Sequence, residues 1–204
     1  MDDAKQPDAR TRLLDAALCL VRRLGWAATS VDALCAQAGV TKGAFFHHFR
    51  SKEALGVAAA KRWGETTAAL FAAAPYHGAD TPAARVLAYV DFRDALLVED
   101  LGVCTCFAGT LVQETWESHP ALRDACGAVI AGHAATLEAD LAAARPPGAD
   151  WDAASVARFT QTVLQGAFVM AKASGSAETI REQVGHLRRY LRMLLERKQK
   201  CSFL

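Results

Sequence analysis

The side chains best suited to chemistry cluster near the N-terminus. Residues 41–52 read Thr-Lys-Gly-Ala-Phe-Phe-His-His-Phe-Arg-Ser-Lys, which brings Lys42, His47, His48, Arg50 and Lys52 into one short stretch beside the hydroxyls of Thr41 and Ser51. Ammonium, imidazole and guanidinium donors with flanking hydroxyls suit phosphate oxygens, and short side chains among them let a backbone come close to a base edge. Nothing comparable points to catalysis. The chain has no His-x-x-x-His or Glu-x-x-His pair, no phosphate-cradling loop and no nucleophile with an evident base. No catalytic residue, metal site or cofactor is expected. The six cysteines (Cys19, Cys35, Cys104, Cys106, Cys126 and Cys201) form no paired Cys-x-x-Cys units. Cys104 and Cys106, read as part of one helix, would point about 200° apart and so could neither share a metal ion nor pair with each other. A reactive sensor thiol at one of them is kept as an alternative, although no Lys, Arg or His lies within one turn to activate it.

Donors of this kind recognise a duplex only when a rigid scaffold presents them. Thr29 and Ser30 can cap a short helix whose apolar face is Val31, Leu34 and Cys35. Gly39 permits a sharp left-handed turn, Val40 plugs the corner, and a second short helix opens at Thr41. Phe45 and Phe49, four apart, dock that helix inward while its N-terminal residues face out. Leu13, Leu14, Ala17, Leu18, Val21 and Leu24 give the preceding helix an apolar stripe that ends at Gly25. This is a helix-turn-helix pattern, whose second helix enters the major groove. The charge agrees with it. Residues 1–64 carry ten Lys/Arg and six Asp/Glu, a charge of +4, against −3 for the remainder.

The run Ala-Gly-Val-Thr-Lys-Gly-Ala-Phe-Phe-His-His-Phe-Arg-Ser-Lys-Glu-Ala-Leu, residues 38–55, closely resembles the signature of the TetR family of bacterial transcriptional regulators, and the likeness extends over about residues 10–58. The resemblance implies an all-helical homodimer, a double-stranded palindromic DNA operator, and a small organic effector bound by the C-terminal part. It also implies roles for individual residues. Lys42 and Gly43, flanked by Thr41 and Ala44, match positions that approach base edges, and Thr29, Ser30, His47, His48 and Lys52 match phosphate contacts. Phe46 stands where the family often has Tyr, so a hydroxyl is missing there. Lys5, Arg10 and Arg12 offer further phosphate contacts from an N-terminal arm.

Beyond this segment the chain reads as helices broken by Gly and Pro, over about 51–74, 82–99, 103–117, 120–144, 152–174 and 177–198. The fold class is all-α with about nine helices: a DNA-binding helix-turn-helix domain over 1–52 and a larger effector-binding and dimerisation domain over 53–204. Phe92, Leu96, Phe107, Trp116 and Phe168, with sparse polar groups at Thr110, Gln113 and Gln165, suit a mostly apolar effector. Ile180, Val184, Leu187, Leu191 and Leu194 form a seam at heptad spacing, and Val163, Ala167 and Met170 belong to a comparable stripe. Either stripe could face the subunit's own core, and the family resemblance implies that both form the dimer interface. The N-terminus has no apolar run behind a basic stretch, and the longest charge-free stretches have 13 residues, too short to span a bilayer. A cytoplasmic protein without a membrane partner is expected. The ending Cys201-Ser202-Phe203-Leu204 matches a prenylation box only superficially and is read as coincidence. The reading is a ligand-responsive regulator that is not an enzyme, most simply a repressor. The alternatives are a thiol-based electrophile or redox sensor of the same fold, and, from other classes, a helical enzyme or a scaffold that no longer binds DNA.

Overall fold

A computed structural model of the chain describes residues 7–196. Among the described residues are nine α-helices, one 3-10 turn over Pro75–Gly78, and no strand. The helices are α1 (Ala9–Leu24), α2 (Val31–Ala38), α3 (Lys42–His48), α4 (Lys52–Ala72), α5 (Pro82–Ala95), α6 (Phe107–Thr115), α7 (Pro120–Ala144), α8 (Ala153–Ser174) and α9 (Glu178–Glu196). Their starts follow local chemistry. Asp8, Ser30, Thr41, Thr81 and Asp152 each turn a side-chain oxygen onto a backbone N–H of the first turn. Two compact units result. The first comprises residues 1–67 and 105–129, and the second 68–104 and 130–204.

In the first unit, α1 packs against α2, α3 and α6. Leu13, Leu14, Ala17 and Val21 of α1, Leu34 and Cys35 of α2, and Phe45 and Phe49 at α3 are all buried. Two buried phenylalanines contribute about 1.5–3 kcal/mol each, which fixes a seven-residue helix too short to persist alone. From α6, Phe107 and Leu111 are fully buried, and Phe107 lies against Trp63 with centroids 6.4 Å apart.

The second unit is built on a core from Phe71, Tyr89, Val90, Leu137, Leu141, Val156, Leu164, Ile180, Val184, Leu187 and Leu191. Arginine–carboxylate pairs stitch it together: Arg85 to Asp140 at 2.7 Å and Arg188 to Asp91 at 2.5 Å between helices, and Arg181 of α9 to Glu99 in the loop after α5 at 2.9 Å.

Three expectations are corrected. First, α5 ends at Ala95, not near 99, and α6 begins at Phe107, not 103. Asp100 explains part of the break, because its carboxylate accepts from the Gly102 N–H at 2.9 Å and closes a turn that competes with a helix. Cys104 and Cys106 therefore share no helix; Cys106 caps α6, its sulfur accepting from the Gly109 N–H at 3.4 Å. Second, the heptad seam points inward. Val184 and Leu187 are 2% exposed and Leu191 0%, and Ala167 of α8 is also buried, so these side chains fill the subunit's own core. Val163 and Leu194 pack on its margin, and of the residues assigned to the interface only Met170, 58% exposed, faces out. Third, Arg10 and Arg12 belong to α1, not to an arm: the Arg10 guanidinium lies over the Phe49 ring and Arg12 Nε is buried. Lys5 and the Cys201 tail lie outside the described residues.

Candidate nucleic-acid interface

The turn between α2 and α3 is made by Gly39, at φ 62° and ψ 42°, the left-handed region that a side chain disfavours. Its N–H bonds the Ala36 carbonyl, and the Val40 N–H bonds that of Cys35, so α2 stops within one residue and α3 starts at a fixed angle. Thr41, Lys42 and Gly43 then stand exposed at the start of α3, with Ala44 half-buried behind them. Thr41 Oγ1 accepts from the Ala44 N–H at 3.1 Å, and Ser30 Oγ accepts from the Ala33 N–H at 3.0 Å. A hydroxyl used this way keeps its own O–H to donate outward, which is what a phosphate oxygen needs. His47 is exposed and His48 half-buried, their rings edge to face 4.9 Å apart. Phe46 is 52% exposed and lies edge-on against Phe45.

Two of the expected phosphate contacts have other work. Thr29 is fully buried and its hydroxyl donates to the Gly25 carbonyl at 2.7 Å, so it shapes the turn after α1 and reaches no surface. The Lys52 ammonium donates to the Trp26 carbonyl at 2.5 Å and sits 4.1 Å above the Trp26 ring, where burial lowers its pKa. It clamps the start of α4 to that turn.

Two acidic residues missed in the sequence shape the site. Asp32 accepts from Lys42 Nζ at 2.9 Å across the exposed surface, and this bond raises the lysine pKa. The lysine is thus held back against α2 in the free protein by a contact that solvent screens. Glu114, on α6, accepts from the backbone N–H groups of Trp26 at 2.8 Å and of Ala27 at 2.9 Å. Those groups follow α1, whose last residue meets Gly25 at φ 86°; a methyl group there would lie 2.5 Å from the Glu114 carboxylate. No local pattern marks Glu114, because its partners are 87 and 88 residues away.

The residues expected to face an effector divide between the units. Phe107, Thr110, Gln113 and Trp116 belong to the first, and Phe92, Leu96, Gln165 and Phe168 to the second. Phe107 is core. Leu96 and Trp116 turn outward, 40% and 59% exposed, and exposed Gln113 donates back to the Gly109 carbonyl. Phe92 packs on Phe71 and Tyr76 with centroids 5.3 and 6.0 Å apart, and Gln165 and Phe168 are half-buried. The polar groups gathered inside the second unit are different ones, Tyr89, Arg93, His133 and Gln161. Among the described residues no group of three or more His, Cys, Asp or Glu could hold a metal ion, and no helix is long and apolar enough to cross a membrane.

Comparison with known proteins agrees with this geometry. Residues 13–59 match the model of the bacterial regulatory proteins of the tetR family, and residues 82–186 match the C-terminal domain of LmrA/YxaF-like transcriptional regulators. An uncharacterised HTH-type transcriptional regulator of Bacillus subtilis, YerO, is 38% identical over 48 residues; that stretch is 24% of this chain and 17% of the relative's length. The structure of E. coli NemR in its reduced form superposes with a TM-score of 0.74 at 25% identity, covering 89% of this chain and 96% of that one. A TetR-family regulator from Agrobacterium tumefaciens shares the fold, with a TM-score of 0.78 at 19% identity over 89% of this chain and 96% of its own. With its glycine-turned helix pair matching one family model and more than half of its length matching the other, the chain belongs to the TetR family of bacterial transcriptional regulators.

Proposed function

We propose that the chain is a ligand-responsive repressor that binds a palindromic operator as a homodimer and leaves it when a small, mostly apolar effector binds. Residues 1–52 form the DNA-binding domain and residues 53–204 the effector-binding and dimerisation domain of a cytoplasmic protein. The observation that carries the reading is the exposed start of α3, with Thr41, Lys42 and Gly43 held outward on a base of buried Phe45 and Phe49. Lys42 and Gly43 meet base edges with Thr41 and Ala44 beside them, and Ser30, His47 and His48 meet phosphates. Release is a population shift: the effector favours dimers whose two α3 helices no longer match successive major grooves.

The second copy sits on the outer face of α8 and α9. Phe159, Val169 and Met170 of α8 and Tyr190 and Met193 of α9 are 41–69% exposed, and the Phe159 and Tyr190 rings meet 4.9 Å apart. So much exposed apolar surface on two adjacent helices suits a self-complementary interface.

The test is DNA selection from a random duplex library followed by anisotropy on the winning sequence. An inverted repeat bound with a steep salt dependence is expected, and random duplex bound equally well overturns the reading. One observation favours a second reading, a thiol sensor: Cys106 is half-exposed at the cap of α6, where the Gly109 N–H points at its sulfur. NemR was crystallised in a form named as reduced. Iodoacetamide labelling decides, since a sensor thiol is alkylated far faster than the buried Cys35 and Cys126.

A further inference from the structure

Arg93 stands in the last turn of α5 and is half-buried. Its Nη1 donates to His133 Nε2 at 2.8 Å, and its guanidinium carbon lies 5.2 Å from the centroid of the Phe71 ring. Among the described residues no carboxylate pairs with it. Asp91, two residues earlier on the same helix, is gripped by Arg188, Asp140 of α7 by Arg85, and Glu99 by Arg181. A guanidinium has five N–H donors, and the histidine uses one of them. His133 cannot serve as the counter-ion. To accept from arginine its Nε2 must carry a lone pair, so the ring is neutral, and burial together with Arg93 holds its pKa down at about 3. Tyr89, fully buried, has its hydroxyl 3.3 Å from the same Nε2 and accepts from Gln161 Nε2 at 3.2 Å. The result is a permanent cation, an oriented hydroxyl and an amide set among the rings of Phe71 and Phe92. Partly desolvating a cation without an anion is costly, so an anion that reached Arg93 would be stabilised there.

We propose that Arg93, positioned by His133, Tyr89 and Gln161, receives the carboxylate of an otherwise apolar, aromatic effector. This rests on the effector-binding reading above and narrows it: the ligand body is apolar and carries one acid group. Arg93 forms the charge-assisted bonds to the carboxylate, Phe71 and Phe92 face the aromatic body, and the neutral imidazole holds the guanidinium without competing for charge.

The experiment uses the full chain and a fixed panel of benzoate, cinnamate and indole-3-acetate, each beside its primary amide. Binding is read by calorimetry and thermal shift. At least one acid is expected to bind about tenfold or more tightly than its amide. Arg93→Met is expected to erase that preference, and Arg93→Lys to keep part of it. The proposal is overturned if no acid binds, if amides bind equally well, or if Arg93→Met keeps the preference. Operator anisotropy runs in parallel. An acid that binds through Arg93 but leaves DNA bound sinks the release mechanism and spares the subsite. Amides that bind and release DNA as well as acids sink the subsite and spare the mechanism.

Discussion

Removing the Glu114 carboxylate is the sharpest test of how the DNA-binding head is held. Glu114 on α6 carries two charge-assisted bonds at 2.8 and 2.9 Å to the backbone N–H groups of Trp26 and Ala27. The Trp26 bond is partly buried, so in Glu114→Ala that N–H is left without an acceptor, at a cost of about 1.5–3 kcal/mol. The Ala27 bond is exposed, water replaces the lost oxygen, and the further loss is about 0–1 kcal/mol. A total near 2–3 kcal/mol corresponds to a melting temperature lower by about 4–12 °C for a chain of this size. Glu114→Gln keeps one acceptor oxygen and no charge, and should lose about half as much.

The assay has a global and a local part. Urea unfolding gives the free-energy change, and amide hydrogen exchange reads Trp26 and Ala27 directly, where protection should fall in Glu114→Ala and partly return in Glu114→Gln. The Lys52 ammonium, on the Trp26 carbonyl, should stay in place because it bonds the other side of that peptide segment. A loss below about 0.5 kcal/mol, with unchanged exchange at Trp26, refutes the idea that α6 holds the turn through this carboxylate.

The other predictions concern charge, assembly and pH. Lys42→Ala should weaken operator binding by about ten- to a hundredfold and relax base preference, whereas Asp32→Asn, which frees the lysine, should tighten binding to random duplex in anisotropy. Met193→Asp should give folded monomers in sedimentation, since that side chain is 69% exposed, while Leu187→Asp buries a charge in the core and should unfold the chain, at about 3 kcal/mol or more. His133 has a folded pKa of about 3 against 6.5 for the free side chain, so its neutral burial stabilises fully above pH 6.5 and less as pH falls towards 3. Between pH 6.5 and pH 5 this removes about 2 kcal/mol, and urea titrations of His133→Asn should lack that slope.

Short-range signals made the DNA-binding head legible. α2 and α3 begin and end where Ser30, Gly39 and Thr41 place them, because a cap and a left-handed glycine act within three or four residues. The same locality explains the failure between α5 and α6. Residues 97–99 and 103–106 read as extensions of the helices on either side of Gly102, but the Asp100 turn and the cap at Cys106 outweigh a propensity of only tenths of a kcal/mol per residue. Thr29 and Lys52 were misread for another reason. Their types suit phosphate, yet each is turned to the segment around Gly25 and Trp26, a partner that becomes visible only when the chain is folded.

The second unit shows where periodicity stops informing. A helix packed on its own core and also on a second copy carries two apolar stripes, and sequence spacing gives each stripe without saying which way it faces. On α9 the complete seam, Ile180, Val184, Leu187 and Leu191, went inward, because a subunit must first close its own core. What stays exposed, and what the proposed second copy would cover, is the stripe of Tyr190 and Met193, continued on α8 by Phe159 and Met170. The polar cluster of Tyr89, Arg93, His133 and Gln161 was invisible for a related reason: its members come from α5, α7 and α8 and mean little singly. Only the fold reveals that Arg93 faces the Phe71 ring and a neutral histidine while Arg85, Arg181 and Arg188 each hold a carboxylate. That asymmetry among arginines, and not the count of aromatics, is what narrows the chemistry of the effector.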